Sequence, residues 1–228
     1  MKLKLIYDYL IDFILPNRCS FCGKFTNWNE PVCKNCKDSI LFSEHPIRQD
    51  ENGVFTMCVS ACEYDGTARD GILNLKYHNG INTAKHLSPH LCELLKVNID
   101  LNRIDVVTCV PMTRKRLADT GYNHADVIGK LVAELIKKPY DRKLLRRISN
   151  APIQHELSAA ERRKAVKDTY FPANKKTSLN GKTVLLVDDI ITTGSTLSEC
   201  ASVLKSMGAV EVYCCTLAKS LYNESRKE

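Results

Sequence analysis

Several features that would place this chain of 228 residues in a common protein class are missing. A secretory signal needs an uninterrupted apolar core and a small-residue cleavage site. The apolar run near the start contains Asp8 and Asp12, and no such site follows it. The run is also too short and too acidic to cross a membrane. We therefore expect no stable membrane insertion and a place in the reducing cytoplasm.

Two nucleotide-binding signatures are also absent or incomplete. The sequence contains no G-x-G-x-x-G segment, so a dinucleotide-binding fold is unsupported. The letters GKT at 181–183 match the end of a P-loop, but Lys176 stands where its first glycine belongs. This segment also precedes a predicted strand instead of following one. The six histidines show neither metal-ligand spacing nor a triad pattern, and we expect surface positions for His78 and His124.

The first sixteen residues have helical rather than membrane-spanning character. Five apolar side chains fall on one helical face: Leu3, Ile6, Leu10, Phe13 and Ile14. Pro16 ends the pattern. The pattern predicts a short amphipathic helix that packs on its own domain. Docking to a membrane surface or to a partner protein is the alternative.

Cysteine, by contrast, is abundant, with eleven residues in the chain. Four of them form two C-x2-C pairs separated by ten residues, namely Cys19, Cys22, Cys33 and Cys36. Two tight turns of this kind can direct four thiolates at one tetrahedral Zn²⁺ ion. Four thiolates leave no position for a reacting water, so we expect a structural zinc ribbon. An iron–sulfur cluster, a redox dithiol pair and simple core cysteines remain alternatives, and the other seven cysteines lack this spacing.

The remainder of the chain alternates predicted strands with predicted helices, which indicates a parallel sheet flanked by helices. Strands are expected at 54–64, 104–110, 143–147, 183–189 and 209–219, and helices at 66–78, 84–96, 124–138 and 195–208. The polar segment 43–53 is typical of a linker or turn. We assign residues 1–45 to the helix and zinc ribbon and residues 46–228 to the α/β domain.

The segment VLLVDDIITTGSTL at 184–197 carries the strongest functional signal. A buried strand ends in Asp188 and Asp189, and the run Thr192, Thr193, Gly194, Ser195 and Thr196 leads into a helix. Ligands of parallel α/β sheets bind beyond the carboxyl ends of the strands. Backbone N–H groups at the helix start can hold a phosphate, and the carboxylates suit sugar hydroxyls or Mg²⁺. The alternative is an ordinary helix N-cap, with Thr193 or Ser195 as the capping residue.

This segment resembles the binding loop of type I phosphoribosyltransferases, which use 5-phosphoribosyl-1-diphosphate (PRPP). The resemblance implies a type I phosphoribosyltransferase-like parallel sheet, with hood elements at 46–100 and a core at 101–228. It implies that Asp188 and Asp189, the candidate catalytic pair, bind ribose hydroxyls and Mg²⁺. It further implies that Thr192–Thr196 hold the 5-phosphate.

A second resemblance rests on the cysteine ribbon together with the segment VPMTRKRLADTGYNHA at 110–125. Both are similar to the ComF family, bacterial competence-associated proteins with a zinc ribbon and a phosphoribosyltransferase domain. The match implies that Arg114 and Arg116 face the diphosphate and that Lys76 lies in a lysine-containing turn. Thr120 stands where the family often has Arg, and His124 where it often has Gln. An ordinary solvated loop is the alternative.

The polar segment 157–171 resembles a loop that closes over PRPP in related amidotransferases, and Arg162 and Arg163 match its arginines. A solvated helical face is the alternative. The net charge of +7 favours phosphate-bearing ligands or nucleic acid only weakly. Three functions stay open: a PRPP-dependent transferase with an unassigned acceptor, a PRPP- or nucleotide-binding accessory protein of DNA uptake, and a nucleic-acid-binding regulator. Single-stranded DNA and DNA-uptake proteins are therefore candidate partners.

Overall fold

The structure, a computed structural model, describes residues 17–27, 30–45, 47–48, 53–77, 80–148 and 169–220. The expected amphipathic helix within residues 1–16 lies outside the described residues. So do His78, Arg162 and Arg163, together with most of the segment 157–171.

Nine strands and six α-helices make up the described part of the chain. The strands are β1 (Asn17–Arg18), β2 (Phe25–Thr26), β3 (Ile47–Arg48), β4 (Cys58–Glu63), β5 (Val106–Cys109), β6 (Leu145–Arg147), β7 (Tyr170–Pro172), β8 (Thr183–Ile191) and β9 (Glu211–Lys219). The helices are α1 (Lys34–Ser39), α2 (Gly66–Tyr77), α3 (Ile81–Asn98), α4 (Arg114–Thr120), α5 (His124–Leu135) and α6 (Ser195–Ser206).

The central sheet has five strands in the order β3-β4-β9-β8-β5. The pairs β4–β9, β9–β8 and β8–β5 are parallel, and β3 lies antiparallel to β4 at one edge. Val184 to Val187 and Val212 to Cys215 are buried without interruption. A strand that is covered on both faces needs such a continuous apolar run, because neither side of the pleat meets water.

Helices cover both faces of this sheet, as the alternating pattern predicts. One apolar cluster joins α2, α3 and α5 to the sheet through residues such as Ile72, Leu91 and Ile128. A second cluster joins α6 to the opposite face through Leu197, Ala201 and Leu204. The predicted α/β class, a parallel sheet flanked by helices, is confirmed. No helix in the described ranges is long and apolar enough to cross a membrane.

The cysteine ribbon packs directly on the helices α2 and α3. Phe21, which lies between the first two ribbon cysteines, is 4% exposed and belongs to the same apolar cluster as α2 and α3. The Ser20 carbonyl accepts hydrogen bonds from Asn74 Nδ2 at 2.7 Å and from Thr83 Oγ1 at 3.2 Å. The ring of Phe21 rests against Gly71, where a Cβ would come within 2.3 Å of the ring. The ribbon and the α/β core therefore share one hydrophobic core.

Three short elements differ from the sequence-based expectations. The strand β3 lies in the segment expected to be a linker, β7 begins within the last residues of the polar segment 157–171, and α4 replaces an expected basic loop. The strands β3 and β7 have two and three residues, too few to show a periodic pattern within polar segments. Helix α4 begins after Thr113, whose side chain accepts the Arg116 N–H, and it ends at Gly121 in the left-handed conformation.

The contact between Phe21 and Gly71 predicts a large effect of a small substitution. Gly71→Ala should destabilise the protein by about 1–3 kcal/mol, since the added methyl overpacks a buried ring. The intrinsic gain of alanine in a helix, about 1 kcal/mol, acts in the opposite direction. Chemical denaturation of the two proteins measures the difference.

The matched control is the same substitution in a Phe21→Ala background. Without the ring, Gly71→Ala should be neutral or stabilising. An equal loss of stability in both backgrounds would show that the ring contact is not the cause.

Candidate functional site

The four ribbon cysteines form one cluster, with all four Sγ atoms within 4.8 Å of one another. The first pair lies on a tight turn in which the Gly23 N–H donates to the Cys19 carbonyl at 2.9 Å. Gly23 has φ +71°, a conformation that glycine adopts without strain. The Cys33 N–H donates to Cys19 Sγ at 3.4 Å. Sulfurs that accept backbone N–H groups on such turns are typical of zinc ribbons.

The local electrostatics of the cluster fit a divalent cation. Burial opposes ionisation of Cys19, but backbone N–H groups of Cys22, Cys33 and Phe21 lower the pKa of its thiol to about 6. Burial and hydrogen bonds with the neighbouring thiols raise the pKa of Cys36. One thiolate is thus favoured while its neighbour resists ionisation, and a cation among them would stabilise all four as thiolates. The cluster could hold a metal such as zinc.

The cysteine cluster leads to a prediction on metal content. The purified protein should contain about one zinc per chain, and Cys22→Ser should lower that content and the thermal stability together, because structural zinc contributes folding energy. Elemental analysis and thermal denaturation provide the two readouts. Cys92→Ala, which changes a buried cysteine in α3, should keep the zinc. A folded wild-type protein without metal would contradict the prediction.

The second and larger site is a cavity of about 390 Å³ at the carboxyl-terminal edge of the sheet. It is lined by Asp188 and Asp189 of β8, by Tyr64 after β4 and by Pro111 after β5. All the parallel strands end at this edge, so side chains distant in sequence meet there. A smaller cavity of about 30 Å³ adjoins it and is lined by Asp188 and residues 190–197.

The two aspartates differ in their surroundings. Burial, followed by repulsion from Asp189, raises the pKa of Asp188 to about 8. The Asp189 N–H donates to Asp188 Oδ1 at 2.8 Å, while Asp189 Oδ2 lies 3.2 Å from Lys76 Nζ. Two adjacent carboxylates in a partly enclosed site are costly unless cations balance them. Oxygen ligands of this kind fit Mg²⁺.

The run from Thr192 to Thr196 curves around the smaller cavity and enters α6 at Ser195. Gly194 adopts φ +81°, where a side chain would be strained. Thr193 Oγ1 lies 2.9 Å from Ser195 Oγ and accepts the Ser195 N–H at 3.3 Å. Backbone N–H groups at a helix start and several hydroxyls therefore surround a space suited to an anion.

Cations reach the larger cavity from three elements: Lys76 from α2, Arg116 from α4 and Arg147 from β6. Arg114, predicted to face the same ligand, is not among the lining residues. Arg147 was missed in the sequence, although it ends the predicted strand at 143–147. Its guanidinium lies 5.2 Å from the ring centroid of Tyr170, which also lines the cavity. Its Nε is buried and has no hydrogen-bond partner among the described residues.

Two side chains before and at the start of α5 fix the end of α2. Tyr122 Oη donates to the Leu75 carbonyl, and His124 Nε2 lies 3.0 Å from the Lys76 carbonyl. His124 is 2% exposed, so the expectation of a surface position for it was wrong. Burial lowers its pKa, which favours the neutral ring with one N–H donor. The contact holds the backbone of Lys76 in place beneath its ion pair with Asp189.

The role of His124 as a hydrogen-bond donor can be tested by substitution. His124→Ala should destabilise the protein by about 1–3 kcal/mol, because the carbonyl of Lys76 loses a buried partner. His124→Gln keeps an N–H donor and should recover most of that loss. Thermal denaturation measures both, with His90→Ala, a half-buried histidine beside Phe42, as the control. Equal losses for the Ala and Gln variants would contradict a donor role.

Comparison with known proteins finds relatives of the α/β domain. Residues 123–228 match the family described as phosphoribosyl transferase domain. Competence protein F of Haemophilus influenzae is 32% identical over 116 residues, 51% of this chain and 51% of that protein. The match thus spans about half the length of this relative. The DNA utilization protein YhgH of Escherichia coli K12 is 26% identical over 205 residues, 86% of this chain and 88% of the relative.

Among solved structures, the adenine phosphoribosyltransferase of Thermoanaerobacter pseudethanolicus is 17% identical and has a TM-score of 0.40. The similarity covers 66% of this chain and 86% of that one.

Proposed function

Starting from a ComF-like chain with a phosphoribosyl transferase domain at 123–228, we propose that the protein binds PRPP together with Mg²⁺. One observation carries the proposal: an acidic pair, three cations from separate elements and the loop Thr192–Thr196 meet at one edge of the sheet. We call this loop the anion cradle. PRPP has a group for each of these: ribose hydroxyls for the acidic pair, a 5-phosphate for the anion cradle and a diphosphate for the cations.

The ribose 5-phosphate end of the ligand fits the smaller cavity. The N–H groups at the start of α6 and the hydroxyls of Thr193 and Ser195 would hold the phosphate. Asp188 and Asp189 would accept hydrogen bonds from the ribose hydroxyls. The loop from Thr192 to Thr196 contains no Lys or Arg, so its own contribution comes from dipoles and hydroxyls.

The diphosphate end fits the cations of the larger cavity. Lys76, Arg116 and Arg147 would neutralise its charge, and we propose Arg114, Arg162 and Arg163 as further contributors, as the family resemblance implies. Asp188 and Asp189 would hold Mg²⁺, which supplies charge neutralisation to a leaving diphosphate. The acidic pair fits this ion because the two carboxylates repel each other in a partly enclosed site.

If the protein transfers the phosphoribosyl group, its residues would mainly position the reactants. An acceptor would attack C1 of the ribose while the C1–oxygen bond to diphosphate breaks, and the protein would hold both reactants and the leaving group in place. The acceptor is unassigned. A PRPP-binding accessory protein without turnover would use the same contacts, so binding is the first property to measure.

The names of the relatives extend the proposal to a biological role. One is named for competence and the other for DNA utilization, and we propose a link to DNA uptake for this chain as well. Single-stranded DNA and DNA-uptake proteins are the corresponding proposed partners. We also propose a reducing, cytoplasmic location, because clustered cysteines that could hold a metal are typical of that compartment.

Calorimetric titration of PRPP into zinc-loaded protein, with and without Mg²⁺, tests the proposal. We expect saturable binding that depends on Mg²⁺. Asp188→Asn and Asp189→Asn should each weaken it about tenfold or more, because a hydrogen bond to a charged group contributes about 1.5–3 kcal/mol.

Asp70→Asn is the matched control, since it removes an exposed carboxylate of α2 and should leave binding unchanged. Wild-type affinity in both Asp188→Asn and Asp189→Asn would reject the site. Absence of any PRPP binding to the wild-type protein would reject the proposed function. Diphosphate release in the presence of candidate acceptors would then separate a transferase from an accessory protein.

A further inference from the structure

Arg48 contacts the anion cradle from a distant part of the chain. Its guanidinium donates to the carbonyl oxygens of both Thr192 and Thr193, the second contact measuring 3.3 Å. The contacts join residues 144 and 145 positions apart in sequence. Arg48 reaches the loop because β3 pairs antiparallel with β4, placing Arg48 opposite Cys58.

The two contacts determine how two peptide groups of the loop are oriented. In a trans peptide the C=O and the N–H point in opposite directions. The carbonyls of Thr192 and Thr193 belong to the same peptide units as the N–H groups of Thr193 and Gly194. When the guanidinium fixes both carbonyls, these N–H groups point away from Arg48. The adjoining cavity of about 30 Å³ is lined by these same residues.

The guanidinium also adds positive charge to a loop that has none of its own. A planar fork can hold two carbonyls at once, which a lysine ammonium on a flexible stem does less well. A cation behind the carbonyls and N–H groups in front of them both favour an anion on the far side of the loop.

We propose that Arg48 is a positioning residue for the 5-phosphate of the ligand, acting through the backbone of Thr192 and Thr193. The inference rests on the proposed function. It adds a residue outside the anion cradle that helps to determine phosphate affinity. Arg48 should act mainly on the ribose 5-phosphate end, because Thr192, Thr193 and Gly194 all line the smaller cavity, whereas Lys76, Arg116 and Arg147 line the larger one.

The experiment compares two probes, ribose 5-phosphate and Mg²⁺-diphosphate, by calorimetry on the zinc-loaded protein. Arg48→Ala should weaken ribose 5-phosphate binding about tenfold to a hundredfold and change Mg²⁺-diphosphate binding by less than about twofold. Arg48→Lys, which keeps the charge but not the fork, should fall between Arg48→Ala and wild type. A purely structural role would weaken both probes together.

Arg103→Ala is the matched control. It removes an arginine whose guanidinium lies 2.5 Å from Glu211, at the amino-terminal end of β9 and therefore at the edge of the sheet away from the cavity. Both probes should bind this variant as they bind the wild type. Thermal denaturation of each variant reports on folding. If Arg48→Ala does not fold, Arg48→Lys decides: a selective loss of ribose 5-phosphate affinity supports the inference, and unchanged affinity overturns it.

Failure of the inference differs from failure of the proposed function. Wild-type protein that binds ribose 5-phosphate, with Arg48→Ala binding it equally well, overturns the role of Arg48 alone. Equal weakening of both probes in a folded Arg48→Ala variant also overturns that role. Wild-type protein that binds neither probe overturns the proposed function and the inference together.

Discussion

The placement of two adjacent carboxylates at the end of a central strand constrains much of the candidate site. Asp188 and Asp189 belong to β8, whose preceding residues are buried on both faces of the sheet. The pair is therefore stabilised by protonation, which the raised pKa of Asp188 favours, or by positive charges that the strand itself does not carry. Lys76 provides one such charge, 3.2 Å from Asp189. The position of helix α2, and of the residues that fix its end, therefore determines whether Lys76 can pair with Asp189.

The cysteine ribbon is connected to the same arrangement through helix packing. Phe21 and Ser20 contact α2 and the first turns of α3, and Lys76 lies near the end of α2. Tyr122 and His124 contact the carbonyls of Leu75 and Lys76 in the last turn of α2, next to Asn74, which contacts the ribbon. The ribbon therefore supports the helix that carries a cavity-lining cation. This connection gives the cysteine cluster a structural reason to lie beside the α/β sheet.

The strongest predictions from the sequence concern segments in which neighbouring residues act together. The cysteine spacing predicts a cluster, because each C-x2-C turn sets the positions of its own sulfurs. The stretch from Val184 to Leu197 predicts a strand, an acidic pair and a loop before a helix, because hydrophobic pattern and glycine act locally. The strands and helices of the α/β core follow from the same periodicity, apart from β3, β7 and α4, which are too short to show it.

The tertiary structure alone decided which distant side chains join these local motifs. Nothing near Arg48 in the sequence indicates that it contacts a loop 144 positions away, since a two-residue edge strand brings it there. Likewise, His124 looks like a surface residue until the end of α2 covers it, and Arg147 is one of several arginines until β6 places it at the cavity. Spacing along the chain determines the geometry of a turn or a strand end. Packing between elements determines which charges meet, because that depends on how the sheet and helices come together.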